Sequence, residues 1–462
     1  MIMIWLSSIL FFLLRLPSLF EPYWYGDEGV YLVLGQGIRH GLTLYSQIYD
    51  NKPPAIYYFA ALAQTVFGFR LLLLLWMIPT CYFFFHLAQK YLTPKLSQVA
   101  LLFFVILTSI PVIEGHISNA EIFMLLPTIL GFLLFEKHVF WSGLLLGFAF
   151  LFKVPVAIEF FFLFCFSFFI LKKYKDLKSL FVFGSSFFIP LIITLVYYQL
   201  NQALWPYLSS AFLQNFGYLS SWSTGSQSSS PTSSGLPLRL GLMLLSWVVF
   251  YFLYFKKNID KKFLFLSSWF TACLFGVLLS TRPYPHYLIQ IVPPLILVIL
   301  YHKNYLLNKI LLILILAYSI FYYKFYFYAT FSYYKNIVQY ALNQKSTESY
   351  RQYFGNNVNS FYQISQYIDA KSLADDEIYI WSDDPYIYPL SARLPSTKYI
   401  TAYHVLDYRG YDLTISQLQT RLPRIIVYNL SMNRPFPLLD TFIRNYYYLD
   451  NQIGSYFLYI KR

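Results

Sequence analysis

The segment 23-YWYGDEGVY-31 sets Asp27 beside Glu28, between aromatic residues, just past the first long apolar run of the chain. Adjacent carboxylates repel each other and add no packing, so their position at the end of an apolar run calls for an explanation. The run before them, MIMIWLSSILFFLLRLPSLF (1–20), has no basic leader and no small-residue cleavage site and is expected to remain as a helix.

Composition sets the environment. Of 462 residues 58% are hydrophobic and 12% charged, and mean hydropathy is +0.50. A soluble domain carries about 25% charged residues, so the deficit points to lipid. The net charge of +13 does not indicate nucleic acid. The Lys and Arg residues fall in short clusters between apolar runs, the pattern of a topology determinant. Cys81, Cys165 and Cys273 all lie inside apolar runs and imply no disulfide framework.

A spanning helix needs roughly 20 mostly apolar residues. About eleven stretches qualify, near 2–20, 69–89, 96–113, 120–136, 139–153, 156–171, 179–199, 237–255, 263–280, 287–301 and 309–328. Alternating them across a bilayer puts KKYKDLK (172–178), KKNIDKK (256–262), HKNYLLNK (302–309) and the Lys90/Lys95 loop on one face. By the positive-inside rule that face is cytoplasmic. Asp27, Glu121, Arg282 and the C-terminal region then share the outer face. This reads as a polytopic α-helical membrane protein over 1–330.

Three outer segments differ from simple turns. Residues 21–68 contain YLVLGQGIRHG and AIYYFAALAQTVFG, each with helical spacing and a length suited to an interfacial helix. Residues 200–235 include the Ser-rich stretch SSWSTGSQSSSPTSSG, which reads as a linker. Residues 331–462 turn polar and read as a small α/β domain outside the membrane. Its expected strands are DEIYIW, KYITAY, RIIVYNL and SYFLYI, and its expected helices are SFYQISQYIDAKSL and LTISQLQTRL. No Gly-rich phosphate loop and no metal-ligand spacing occurs in it.

Four pieces carry candidate chemistry. Asp27 and Glu28 precede YDNKPPAIYY, where Lys52 stands at the start of the second short helix with prolines at its first turn. In IEGHISNAEIFMLLP, Glu121 stands in the first turn of the fourth span, a position the helix dipole also favours. GLLLGFAFLFKVPV ends on Lys153, whose ordinary role would be to snorkel. TRPYPHYLIQIVPP brings Arg282, His286 and Tyr287 to the outer mouth, where two prolines also make a rigid turn. Together they gather carboxylates and cations on one side of one membrane, where buried ionisable groups mark functional sites. A carboxylate that activates a nucleophile and cations that stabilise a departing phosphate are the chemistry such a set supports.

The pieces DEGVY, GQGIRHGLTLY, YDNKPPAIYYFAAL and FG, followed in order by NAEIFMLLP, GLLLGFAFLFKVP and RPYPHYLIQIVPPL, resemble the family 39-type glycosyltransferases of the GT-C superfamily. Protein O-mannosyltransferases and aminoarabinose transferases belong to that group. The resemblance covers roughly residues 1–300 and implies the GT-C membrane fold and transfer of a sugar from a polyprenyl-phosphate donor. It implies Asp27 as the acceptor-activating carboxylate, Glu28 as its partner in the signature pair and Glu121 as a second acidic site. Lys52 would contact the donor phosphate, helped by Lys153, Arg282, His286 and Tyr287. One departure stands out. Aminoarabinose transferases carry a phosphate-binding Arg three residues after the Asp, and here that position is Val30. A divalent metal at the carboxylates is left open. The acceptor is a lipid, a glycan or a protein. A transporter or flippase of lipid-linked sugars is the rival class, but the chain shows no internal repeat, and its ionisable groups sit at span ends rather than at mid-depth.

Overall fold

The computed structural model describes residues 2–171, 176–214, 235–280 and 282–462. Most of the Ser-rich stretch (215–234) and residues 172–175 of the first Lys-rich cluster lie outside them. The chain forms two compact units. One comprises 1–16, 72–197 and 212–330; the other comprises 17–71, 198–211 and 331–462.

The first unit is a helical bundle, and each of the eleven apolar stretches contains helix. Four helices are long and apolar enough to cross a membrane: Ile2–Phe20, Val66–Gln89, Leu177–Leu200 and Gly235–Phe255. Between 17% and 39% of their most apolar windows is buried, so most of that surface faces outward, as it does against lipid. The remaining apolar helices have 17 residues or fewer. Helix length alone therefore assigns four crossings among the described residues, and the chain is a multi-pass membrane protein.

Capping shows how these helices start and stop. Thr93 accepts from the Leu96 N–H with Pro94 at the first helical position, and Asp260 accepts from the Phe263 N–H at 2.8 Å. At the other termini lysines cover carbonyls that lack helical partners. Lys90 Nζ donates to Leu133 O, Lys309 Nζ to Ile299 O at 3.0 Å, and Lys262 Nζ to Lys90 O at 2.9 Å. Tyr301 and Tyr305 hydroxyls both donate to Asp260. Three of the four basic segments thus meet at one end of this unit. The opposite helix ends carry Glu121, Lys153 and His286.

Close helix contact depends on small residues. A Cβ on Gly143 would lie 2.3 Å from Phe183 O, and one on Gly147 would lie 2.1 Å from Phe187 O. This four-residue spacing of glycines lets the Val139–Phe150 helix touch the backbone of Leu177–Leu200.

The second unit holds a four-stranded sheet of β1 (Ile378–Trp381), β2 (Ile425–Asn429), β3 (Tyr447–Ile453) and β4 (Tyr456–Lys461), in spatial order β1-β2-β4-β3. β1 and β2 run parallel and the other pairs antiparallel. Tyr379, Trp381 and Ile426 pack against Leu418, Phe436, Leu439 and Phe442 from the flanking helices. Two sequence expectations fail here. KYITAY forms no strand, because the Ala402–Asp407 helix starts within it. β3 was not foreseen, because this exposed edge strand reads YYLDNQI and lacks an apolar alternation.

The segment after the first apolar run belongs to this unit. Its two short helices are Gly26–Arg39 and Ala55–Ala63. The first is buried continuously from Glu28 to Gly37, so it is packed inside protein and does not have the half-exposed face of an interfacial helix. Gly29 allows this, since a Cβ there would come within 2.8 Å of Pro385 and Tyr386 side-chain atoms.

Candidate functional site

The second unit sets Asp27 and Glu28 in the first turn of the Gly26–Arg39 helix. Helical geometry points consecutive side chains about 100° apart, and the two carboxylates have different surroundings. Asp27 keeps 34% of its side chain exposed and meets Lys52 Nζ at 3.2 Å. Tyr31, one helical turn on, donates its hydroxyl to the same Asp27 oxygen at 3.2 Å, and its ring lies 4.8 Å from the Lys52 ammonium. A carboxylate, an ammonium and a phenol thus converge at a partly wet position.

Glu28 is 2% exposed and accepts both a Nε–H bond and a Nη2–H bond (2.6 Å) from Arg70. Arg70 also reaches Glu21 at 3.2 Å, and Glu21 accepts from the Tyr333 hydroxyl at 2.5 Å. A buried carboxylate held in this bidentate way orients the start of the helix. The geometry therefore separates Glu28 from Asp27, although the sequence reading paired them. Val30 is buried at 2% exposure, so the site has no cation at that position.

The first unit holds a second group. Glu121, in the first turn of Ala120–Phe123, pairs with Lys153 at 2.5 Å, and the Lys153 ammonium lies 4.6 Å from the Tyr287 ring centre. Lys153 occupies the turn between Val139–Phe150 and Val156–Phe169. His286 Nδ1 lies 2.5 Å from Glu114, and its Nε2 lies 3.8 Å from Glu121. Tyr284 stacks on the His286 ring at 5.6 Å. Arg282 lies at the start of the same turn, partly exposed, with its backbone N–H on Ser280 Oγ at 3.4 Å. The structure thus brings Glu121, Lys153, His286 and Tyr287 together in this unit.

Glu114 was missed in the sequence. It is fully buried and adopts φ +60°, in the left-handed region that non-glycine residues seldom occupy. The only available signal was its place beside Gly115 in IEGHISNAEIF. Tyr31, Arg70, Asp50 and His404 were missed too. Asp50 is buried and lies 3.5 Å from His404 Nε2. Burial opposes its ionisation, but the Lys52 charge and the His404 and Tyr57 hydrogen bonds hold its carboxyl well below the usual range.

Among the described residues no group of three or more His, Cys, Asp or Glu side chains is arranged to hold a metal ion. The carboxylates named above are engaged by ammonium, guanidinium or imidazole groups, a donor set already committed to the protein's own cations.

No protein-family model and no curated protein matches the sequence. Solved structures do match. ArnT from Cupriavidus metallidurans bound to undecaprenyl phosphate aligns over 99% of this chain and 97% of its own, at TM-score 0.59 and 11% identity. The apo state of that protein aligns over the same shares at TM-score 0.56 and 12% identity. ArnT is an aminoarabinose transferase of the GT-C superfamily. At such identities the likeness concerns fold, and this chain has the ArnT-like fold over nearly its whole length.

Proposed function

We propose that this chain is a glycosyltransferase that moves a hexosyl or pentosyl group from a polyprenyl-phosphate donor of the undecaprenyl type. The acceptor is a hydroxyl or amine of a lipid, polysaccharide or protein at the outer face of the cytoplasmic membrane. The observation that carries the reading is the partly exposed Asp27–Lys52 pair, in a fold shared with a transferase solved with undecaprenyl phosphate.

In this reading Asp27 takes the proton from the acceptor as its oxygen or nitrogen bonds to the anomeric carbon. The bond from that carbon to the phosphate oxygen breaks, and its electron pair leaves with the polyprenyl phosphate. Lys52 compensates the charge developing there. Tyr31 orders the Asp27 carboxylate, and Glu28 holds the helix that carries it. Lys153, Arg282, His286 and Tyr287 are assigned to substrate binding, with Glu121 as a second acidic group. Residues 331–462 are assigned to the outer side.

A flippase for lipid-linked sugars is the second reading, favoured by the Glu114–His286 and Glu121–Lys153 groups that an otherwise apolar bundle carries. Incubating purified protein with radiolabelled undecaprenyl-phosphate-sugars separates the two. Transfer of label to an acceptor, absent in Asp27→Asn, supports the transferase. Label crossing a liposome bilayer without release from the lipid supports the flippase.

A further inference from the structure

Lys52 lies on a loop between the Gly26–Arg39 and Ala55–Ala63 helices, and its backbone is held on both sides. The Tyr45 hydroxyl donates to Lys52 O at 2.7 Å, and the Lys52 N–H donates to the Tyr57 hydroxyl at 3.1 Å. Tyr57 in turn donates to one oxygen of Asp50 at 2.8 Å, and the other Asp50 oxygen lies 3.5 Å from His404 Nε2. His404 belongs to the Ala402–Asp407 helix, about 350 residues away in sequence. Beside this chain of contacts the Tyr49 N–H donates to Lys398 O at 3.1 Å. The Tyr49 ring packs against Tyr399, His404 and Tyr408 at 5.3, 5.2 and 4.8 Å. Tyr45, Tyr49, Asp50, Tyr57 and His404 are each at most 4% exposed.

Anchoring a loop does not require a buried carboxylate and imidazole. An apolar contact of equal volume would do so without the cost of desolvating polar groups. What a hydrogen-bonded polar network adds is a directional geometry. Here that geometry ends on the backbone of the residue whose ammonium faces Asp27.

We propose that Asp50 and His404 are positioning residues for the donor phosphate. The imidazole holds the carboxylate, the carboxylate holds the Tyr57 hydroxyl, and that hydroxyl fixes Lys52. The inference rests on the reading of Lys52 as a donor-phosphate group. It makes the 398–408 segment part of the donor site.

The test uses the full-length protein in detergent, with undecaprenyl phosphate as probe. Its affinity and the melting temperature are measured for wild type, His404→Ala and His404→Gln. A Gln amide can donate to Asp50 as Nε2 does. The expected result is binding weakened about 10- to 100-fold in His404→Ala and restored to within about 3-fold in His404→Gln. A purely structural role would lower both melting temperatures and leave the affinity of the folded protein unchanged, which overturns the proposal. So does wild-type affinity in His404→Ala, and in both cases the donor reading survives. Failure of the wild type to bind undecaprenyl phosphate overturns the donor reading and this role with it.

Discussion

Glu28 accepts two hydrogen bonds from the Arg70 guanidinium, while its neighbour Asp27 faces the Lys52 ammonium at 3.2 Å. One residue of sequence separates a buried ion pair from a partly exposed one. The difference shows in what each substitution is expected to damage.

Removing one partner of a buried pair leaves an uncompensated charge, which costs about 3–5 kcal/mol. Arg70→Ala is therefore expected to lower the melting temperature of purified protein sharply and to reduce its folded yield. An unchanged melting curve would mean the pair is solvated in the membrane-embedded protein.

Asp27 is partly exposed, and pairs of that kind contribute about 1 kcal/mol or less. Asp27→Asn is expected to melt within a few degrees of wild type. Its sugar transfer should fall by about 100- to 10,000-fold, the range for loss of a general base. Wild-type turnover by a folded Asp27→Asn protein would remove Asp27 from the mechanism.

His286 and Glu114 sit 2.5 Å apart in a buried setting. A cycle of His286→Gln, Glu114→Gln and the double variant is expected to show a coupling of about 0.5–3 kcal/mol in stability, as contacting residues of one network do. Additive effects would show that the two do not interact.

Helix packing offers a control within one protein. Gly147→Ala puts a methyl against the Phe187 backbone and is expected to destabilise by about 1–3 kcal/mol. Nothing lies within 4 Å of a Cβ on Gly184, so Gly184→Ala is expected to be neutral or stabilising by up to about 1 kcal/mol. Thermal unfolding of both proteins distinguishes them.

The depressed pKa of Asp50 predicts a pH dependence. Its unfolded value is about 3.9, and the folded value lies below that. Above the unfolded pKa its contribution to stability is fully present. As pH falls below about 4 the unfolded state takes up the proton first, and the contribution is lost as pH approaches the folded value. Wild type is therefore expected to lose stability over this acid range more steeply than Asp50→Asn. Parallel acid-unfolding curves would show that the carboxylate is not stabilised by folding.

Much of this was legible from local pattern. Apolar runs placed a helix in every expected span, because hydropathy and helical period are properties of consecutive residues. The basic clusters around Lys90, Lys262 and Lys309 were expected on one face, and three of the four segments meet at one helix end. Asp27, Lys52, Glu121, Lys153 and His286 stood out as charges where apolar runs end. Tertiary structure alone decided their partners. Arg70 reaches Glu28 from 42 residues away, and His286 reaches Glu114 from 172. Only that folding buries Glu28 and leaves Asp27 partly in water, or carries His404 to Asp50. Amino-acid sequence specifies where charge occurs along the chain. Whether a charge is neutralised, buried or left reactive depends on groups brought near it by packing, and such neighbours leave no local pattern.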